Sequence, residues 1–185
     1  MTDDRHSTHF GFRTVAAGEK AGLVRGVFDS VAENYDLMND LMSFGIHRLW
    51  KRSLAWAVDP RPGQLIVDLA GGTGDVARLV MGADRRVVVI DPSVEMMQAG
   101  RGSRKSLVDW SAGTAESMPL PDACVDTLTI SFGIRNVTDI DTALAEIWRV
   151  LKPGGRLFVS SFRHRRRRCG LCVGLFRAVR IPRGQ

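Results

Sequence analysis

Short apolar runs alternate with stretches of helical period along the middle of the chain. Five such runs, each bounded by turn residues, predict strands: LIVDLA (65–70), RRVVVID (85–91), SLVDWSA (106–112), CVDTLTISFG (124–133) and RLFVSSF (156–162). Helices are predicted after the glycine turn, after Asp91-Pro92-Ser93 and from Thr138, where Asp141 completes a capping box. Strands alternating with helices predict a doubly wound α/β domain with a mostly parallel sheet and right-handed crossovers.

Apolar residues spaced by three and four predict which helix faces are buried. The helix at 19–34 has one apolar face, and an irregular segment from Tyr35 leads into a second helix near Ile46. In the last predicted helix the apolar face comprises Ile140, Leu144, Ile147, Trp148 and Leu151. We therefore divide residues 1–162 into a helical segment, 19–58, and a sheet-containing core, 64–162.

Length and composition fit a single globular domain. The chain has 185 residues, of which 44% are hydrophobic and 25% charged. Its longest aliphatic run is only 87–90, so no membrane span is predicted, and the N-terminus MTDDRHSTHF has no signal-peptide character. We expect a cytoplasmic protein. Three cysteines predict no disulfide framework.

The net charge of +6 is unevenly distributed. Residues 1–162 hold 18 Lys and Arg and 20 Asp and Glu, whereas 163–185 hold eight Arg and no acid. The tail could bind nucleic acid or anionic lipid, form half of a zinc site through Cys169 and Cys172, be a solvated end, or result from a shifted reading frame. The abrupt change of composition favours the last alternative, with a disordered tail and no metal site.

The stretch VDLAGGTGDVA at 67–77 predicts a ligand-binding turn, because its glycines allow close approach of backbone to ligand. From Gly72 it matches the dinucleotide pattern G-x-G-x-x-A, and from Asp68 it matches an acid-plus-turn pattern that suits S-adenosylmethionine. Asp91, at the end of the next strand, can accept the ribose hydroxyls of either cofactor.

The acid before the turn favours S-adenosylmethionine. The carboxylate of Asp68 would repel a pyrophosphate but attract a sulfonium and an ammonium group. Nothing downstream resembles hydride-transfer machinery. A nicotinamide-dependent oxidoreductase remains the alternative enzyme class.

Four motifs resemble those of the ubiquinone/menaquinone biosynthesis C-methyltransferases: YDLMNDLMSFGIHRLWKR (35–52), DLAGGTGD (68–75), ISFGIRNVTD (130–139) and RVLKPGGRLFV (149–159). THFGFRTVA (8–16) is also similar, and the resemblance stops at about residue 162. It implies a Rossmann-like class I methyltransferase fold and S-adenosylmethionine-dependent C-methylation of a polyprenylated benzoquinol or naphthoquinol. The family continues with antiparallel strands that cover the substrate; we expect this chain to lack them and to have impaired activity.

The resemblance also implies functional residues. The expected cofactor-binding residues are Asp68, Gly71, Gly72, Thr73, Gly74, Asp91, Thr114, Ala115 and Ser131. Thr114 stands where the family has Asn or Asp, and a hydroxyl cannot replace the two donors of an amide or the charge of a carboxylate.

Methylation of a ring carbon requires a nearby ring hydroxyl to lose its proton. Arg135 is expected to stabilise the phenolate or activate a water, and Asn136 to orient a ring oxygen; a structural ion pair is equally compatible with Arg135. His47 or Tyr35 would cover the ring or accept its proton, although a histidine before an apolar helix is more often structural.

The expected partners are the polyprenylated quinol and, to reach it, the periphery of the inner membrane. A homodimer or a quinone-biosynthesis complex is compatible with the sequence, and a non-catalytic member of such a complex is the main alternative to an enzyme. We expect no nucleic-acid partner, because the domain before the tail carries slightly more acid than base.

Overall fold

The computed structural model describes residues 7–10, 13–16, 26, 46–102, 107–163, 173–180 and 182. Its strands are β1 Ser7–Phe10, β2 Arg13–Ala16, β3 Leu65–Leu69, β4 Arg86–Asp91, β5 Val108–Ala112, β6 Val125–Ser131, β7 Leu151–Arg163 and β8 Val173–Arg180. Its helices are α1 Ile46–Val58, α2 Asp75–Val80, α3 Val94–Arg101 and α4 Ile140–Val150, with a 3-10 helix at Gly133–Asn136. The helix predicted at 19–34 lies outside the described residues except for Gly26.

The main sheet has the order β5-β4-β3-β6-β7-β8. The five predicted strands all form, and they pair in parallel. The chain runs outward from β3 through β4 to β5 and then crosses to β6, on the other side of β3. This reversal of strand order opens a crevice at the carboxyl ends of β3, β4 and β6, where α/β proteins of this type bind ligands. The doubly wound fold is confirmed.

Two apolar layers cover the two faces of this sheet. On one face, Leu54 and Val58 of α1 pack with residues of α2, Val87 and Val89 of β4, and Phe158 of β7. On the other face, residues of α4 pack on alternate residues of β3, β4 and β6. Because successive strand residues point to opposite faces, each strand contributes to both layers.

The buried face of α4 differs from the prediction. Ile147 and Leu151 are buried as predicted, together with Ala143 and Val150, whereas Ile140, Leu144 and Trp148 are 51%, 45% and 57% exposed. Both sets follow helical spacing, and the set that includes the small Ala143 is the one that packs on the sheet. The cap also differs: Asp139, rather than Thr138, accepts the N–H groups of residues 141 and 142.

The structure corrects the expected absence of an antiparallel strand after residue 162. β8 pairs antiparallel with β7 over the register Arg156↔Arg180 to Arg163↔Val173. Its pairing satisfies backbone groups that would leave β7 an exposed edge. The arginine run at 165–168 that dominated the prediction lies outside the described residues, and so do Cys169 and Cys172.

The amino-terminal strands β1 and β2 form an antiparallel pair, from Ser7↔Ala16 to Phe10↔Arg13, that the sequence did not predict.

Among the described residues, no helix is both long and apolar enough to cross a bilayer.

Candidate active site at the carboxyl edge of the sheet

The glycine turn joins β3 to α2 at the center of the crevice. Gly72 and Gly74 have φ angles of 55° and 77°, in the left-handed region that favours glycine. A Cβ on Gly71 would lie 2.8 Å from Asp68 Oδ2, so the backbone passes directly over that carboxylate. The turn therefore needs its glycines for both conformation and space, and the predicted close approach to a ligand stays a prediction.

Asp68 is buried beneath the turn, with 1% of its surface exposed. Its Oδ1 accepts a hydrogen bond from Thr129 Oγ1 (2.8 Å), and its Oδ2 accepts one from the Ala77 N–H (3.1 Å). Burial raises the pKa of Asp68 to about 6, although both hydrogen bonds and the charge of Lys51 act in the opposite direction. Asp68 thus links β3, β6 and α2 and places a negative charge beneath the turn near neutral pH.

The raised pKa of Asp68 predicts a pH effect on stability. The folded state binds this proton more tightly than the unfolded state, so the contribution of Asp68 to the unfolding free energy falls as pH rises through about 6. Between pH 4.5 and 7 that loss should be about 2 kcal/mol. Asp68→Asn should remove it, as measured by urea unfolding at both pH values. The exposed Asp109→Asn should retain the wild-type difference; identical pH dependence in D68N would contradict the prediction.

The start of α2 carries a compact ion-pair network. Lys51 Nζ of α1 lies 2.6 Å from Asp75 Oδ2, and Arg78 NH2 lies 2.5 Å from Asp75 Oδ1. Burial alone would raise the pKa of Asp75, but Lys51 and Arg78 hold it below its ordinary value. These contacts fix α1 against the first turn of α2 and so hold the edge of the crevice in place.

Asp91 fastens the turn to the end of β4. Its Oδ2 accepts the Gly72 N–H and its Oδ1 accepts the Ser93 N–H, both at 2.8 Å. Ser93 in turn caps α3 through its hydroxyl, which accepts the Met96 N–H. A carboxylate has about four acceptor sites, and the hydroxyls of a ribose are donors of the kind that it accepts.

Trp110 of β5 packs against the outer side of the turn. A Cβ on Gly74 would lie 2.6 Å from Trp110 Cη2, and one on Gly100 of α3 would lie 2.5 Å from the same atom. The indole therefore fits where two glycines leave space. Sequence analysis missed this role of Gly100 and Trp110, since only the fold brings them together.

The expected adenine-side residues lie next to Asp91. The Gly113 N–H donates to the Asp91 carbonyl (3.2 Å), and Thr114 forms a two-hydrogen-bond bridge with Ser117. Thr114 is exposed, whereas Ala115 is buried in the core. Thr73, in the turn itself, is 7% exposed. The structure thus brings the turn, Asp91 and Thr114 to one part of the edge, as predicted.

The end of β6 contributes the other expected side chains. Ser131 is the last residue of this strand, and its hydroxyl is buried with no hydrogen-bond partner among the described residues. Arg135 and Asn136 follow in the 3-10 helix, and both are exposed. Arg135 and Asn136 therefore lie just beyond the strand, where the sequence predicted them.

Of the two proposed proton acceptors, the structure describes only His47. His47 is in the first turn of α1 and 5% exposed, so its side chain is part of the packed interior. The burial of its side chain agrees with the alternative that His47 has a structural role. Tyr35 lies outside the described residues, and its predicted role stays a prediction.

Sequence analysis missed Thr129, the side chain that connects Asp68 to β6. A signal was present: Thr127, Thr129 and Ser131 alternate with the apolar Leu128 and Ile130, so all three point to one face. Thr129 is fully buried and pairs in register with Asp68, which explains why a hydroxyl is retained there.

The site's chemistry fits S-adenosylmethionine better than a dinucleotide. Its turn has a glycine-rich backbone beside an acid that can bind a ribose, and both cofactors require such a site. Asp68 beneath the turn, however, favours a cationic group and opposes a diphosphate. Ser131 adds a buried hydroxyl without a described partner on the same edge.

Solved structures confirm the fold class. A SAM-dependent methyltransferase from Thermotoga maritima is similar over 74% of this chain and 60% of its own, with a TM-score of 0.58 and 29% sequence identity. The parallel sheet, the glycine turn and this similarity define the Rossmann-like fold of class I SAM-dependent methyltransferases.

The chain belongs to the ubiE/COQ5 methyltransferase family, whose model matches residues 14–169. It is 61% identical over 156 residues to the ubiquinone/menaquinone biosynthesis C-methyltransferase UbiE of Rubrivivax gelatinosus, covering 84% of this chain and 62% of that protein. The protein of the same name from a Caulobacter species is 53% identical over 169 residues, covering 84% and 67%. The chain thus spans about two thirds of the length of these relatives.

Proposed function

We propose that the chain binds S-adenosylmethionine at the carboxyl edge and methylates a ring carbon of a polyprenylated benzoquinol or naphthoquinol in ubiquinone or menaquinone biosynthesis. One observation carries the proposal: Asp68 is buried beneath the glycine turn, and the Gly72 N–H of that turn donates to Asp91. Family membership supports the reaction class, because a relative that is 61% identical over 156 residues is named as a quinone-biosynthesis C-methyltransferase.

Each part of the edge would hold one part of the cofactor. Asp91 would accept the ribose hydroxyls, Thr114 and Ala115 would flank the adenine, and Thr73 and Ser131 would contact the amino-acid end. Asp68 would stabilise the positive charge from below the turn. S-adenosylmethionine, when bound, supplies a methyl group that is electrophilic because it is attached to a cationic sulfur.

The acceptor ring would lie beyond β6. Arg135 would stabilise negative charge on a ring oxygen, and Asn136 would orient that oxygen. Loss of the ring hydroxyl's proton makes the neighbouring carbon nucleophilic, and holding that carbon close to the methyl group supplies the remaining rate enhancement. Tyr35, or His47 if its buried ring becomes accessible, would accept the proton.

Arg135→Ala tests this arrangement. Because Arg135 is exposed and its charge is screened by water, we expect turnover of a benzoquinol to fall about tenfold, less than for a buried oxyanion donor. The affinity for S-adenosylhomocysteine, measured by calorimetry, should stay within twofold. Arg61→Ala, at an exposed arginine before β3, is the matched control.

Several outcomes would contradict the proposal. Equal loss of turnover and cofactor affinity in R135A would indicate misfolding, and unchanged turnover would remove Arg135 from the mechanism. A wild-type chain that binds the cofactor and the quinol without transferring a methyl group would favour the alternative of a non-catalytic member of a quinone-biosynthesis assembly.

We also propose that the outer face of α1 contacts an anionic membrane surface. Leu49 and Trp56 are 61% and 89% exposed on this face, and Arg52 lies beside them. Helix α1 contains no Asp or Glu. Exposed Trp and Leu flanked by arginine are typical of helices that lie in the bilayer interface, and a polyprenylated acceptor would be held there.

Flotation with phosphatidylglycerol-containing vesicles tests the membrane contact. Trp56→Ser should reduce the bound fraction several-fold, because a large apolar side chain no longer enters the interface. Trp148→Ser is the matched control, since Trp148 is exposed on α4, on the other face of the sheet. Equal binding by W56S and wild type, or an equal loss in W148S, would contradict the assignment to α1.

We also propose that the chain forms a homodimer or joins a quinone-biosynthesis complex, as expected from the sequence. The exposed α4 residues Ile140, Leu144 and Trp148 form the apolar surface among the described residues that best suits such a contact.

A further inference from the structure

Two serine hydroxyls at the end of the sheet are buried without hydrogen bonds. Ser131 Oγ and Ser160 Oγ are closed to solvent and have no partner among the described residues, and Ser160 is 1% exposed. A buried hydroxyl that lacks a partner destabilises the folded state, because it has lost its hydrogen bonds to water and gained none. Such groups are rare in native proteins and require an explanation.

The two hydroxyls lie side by side. Ser131 of β6 and Ser160 of β7 are register partners on parallel strands, so their side chains point to the same face. Two residues earlier on the same face, Thr129 bonds Asp68 and Phe158 packs in the layer formed with α1. The pair therefore continues the polar row from Asp68 toward the carboxyl edge, on the α1 side of the sheet.

The backbone of Phe132 joins the two strands that carry this pair, since its N–H donates to the Ser160 carbonyl at 2.8 Å. Phe132 follows Ser131 directly, and its ring centroid is 6.2 Å from that of Trp50 on α1, at an interplanar angle of 49°. Phe132 and the two hydroxyls, each of which can donate or accept, thus belong to the same ends of β6 and β7, and a planar ligand there could use both kinds of group.

The strand order assigns the two hydroxyls to different molecules. Asp91 is on β4, with β3 and β6 between it and β7, so Ser160 lies three strand spacings, about 14 Å, from the ribose-binding acid. The sulfur of S-adenosylmethionine is only a few bonds from its ribose. With the ribose at Asp91, Ser131 would lie near the end of the cofactor, and Ser160 would lie beyond it.

We propose that Ser160 binds the methyl acceptor: its hydroxyl donates to an oxygen of the quinol ring, whereas Ser131 serves the cofactor. Ser160 would then position the ring and select for it, because a ring without that oxygen would leave the Ser160 hydroxyl unpaired. This inference rests on the proposed function, because it takes the acceptor to be a quinol.

The test is binding of a reduced benzoquinol with one short prenyl chain, under anaerobic conditions, to the whole chain saturated with S-adenosylhomocysteine. Ser160→Ala should raise the dissociation constant for the quinol about tenfold, the effect of one hydrogen bond to a partly charged oxygen. Its affinity for S-adenosylhomocysteine and its melting temperature should not fall, because the hydroxyl has no described partner to lose.

Two controls separate the possible explanations. Ser161→Ala, the next residue on the opposite face of β7, should leave both affinities unchanged, whereas Ser131→Ala should weaken S-adenosylhomocysteine. Unchanged quinol binding in S160A, or a lower melting temperature that reveals a structural role, would overturn the assignment of Ser160. A wild-type chain that binds S-adenosylhomocysteine but no quinol would instead overturn the proposed function.

Discussion

Replacing Asp91 with asparagine is expected to weaken S-adenosylhomocysteine binding about 100-fold, the combined effect of two hydrogen bonds to a charged group. The carboxylate has two roles that one amide cannot fill. Its two oxygens accept the N–H groups of Gly72 and Ser93, and in the proposed complex they would also accept from the ribose hydroxyls. The amide nitrogen of asparagine accepts nothing, so the turn loses a contact and the ribose loses a charged acceptor.

Calorimetry on D91N measures this loss, with circular dichroism to confirm that the variant is folded. Asp109→Asn is the matched control, since Asp109 is an exposed carboxylate on β5 that pairs with Arg86 at 3.0 Å. It should bind S-adenosylhomocysteine like the wild type. A D91N affinity within threefold of the wild type would show that Asp91 does not hold the ligand.

Gly74→Ala should be the most damaging small substitution in the turn. Gly63 and Gly74 have nearly the same φ, 75° and 77°, but only at Gly74 would a Cβ meet another side chain, Trp110. Gly63→Ala should therefore cost only the backbone strain, roughly 1 kcal/mol. Gly74→Ala should cost about 3 kcal/mol, since forcing a methyl against the indole adds an overpacking penalty.

Urea unfolding of G63A, G74A, W110L and the double variant G74A/W110L separates strain from contact. In the W110L background, Gly74→Ala should lower the unfolding free energy little more than Gly63→Ala does in the wild type. The coupling energy between positions 74 and 110 should therefore be about 2 kcal/mol. Equal costs for G63A and G74A in the wild-type background would show that Trp110 yields to the methyl group.

The sheet was predictable because its strands are short apolar runs between turn residues, and such runs have few alternatives. The face of α4 was not, since Ile140–Leu144–Trp148 and Ala143–Ile147–Val150 both have helical spacing. Only the room available above the sheet decides between them. Likewise Thr138 and Asp139 can both cap a helix, and backbone geometry selects Asp139.

The proposed cofactor-binding residues were more predictable than the side chains that the fold brings to the same edge from distant segments. Asp68, the glycines and Asp91 occur in one local pattern and at one fixed separation, so the sequence alone relates them. Ser160 and Trp110 depend on contacts between distant segments: a strand register for the serine and two glycines from different elements for the indole. Strand β8 was missed because the charge of the arginine run outweighed the apolar residues after it.

The most direct measurement is a pair of calorimetric titrations of the wild-type chain at neutral pH, one with S-adenosylmethionine and one with NADH. The negative charge that Asp68 places beneath the turn should favour the sulfonium ligand and disfavour a diphosphate. We predict saturable binding of S-adenosylmethionine that D91N weakens about 100-fold, and no saturable binding of NADH. Tight NADH binding together with no heat from S-adenosylmethionine would contradict the assignment of this site.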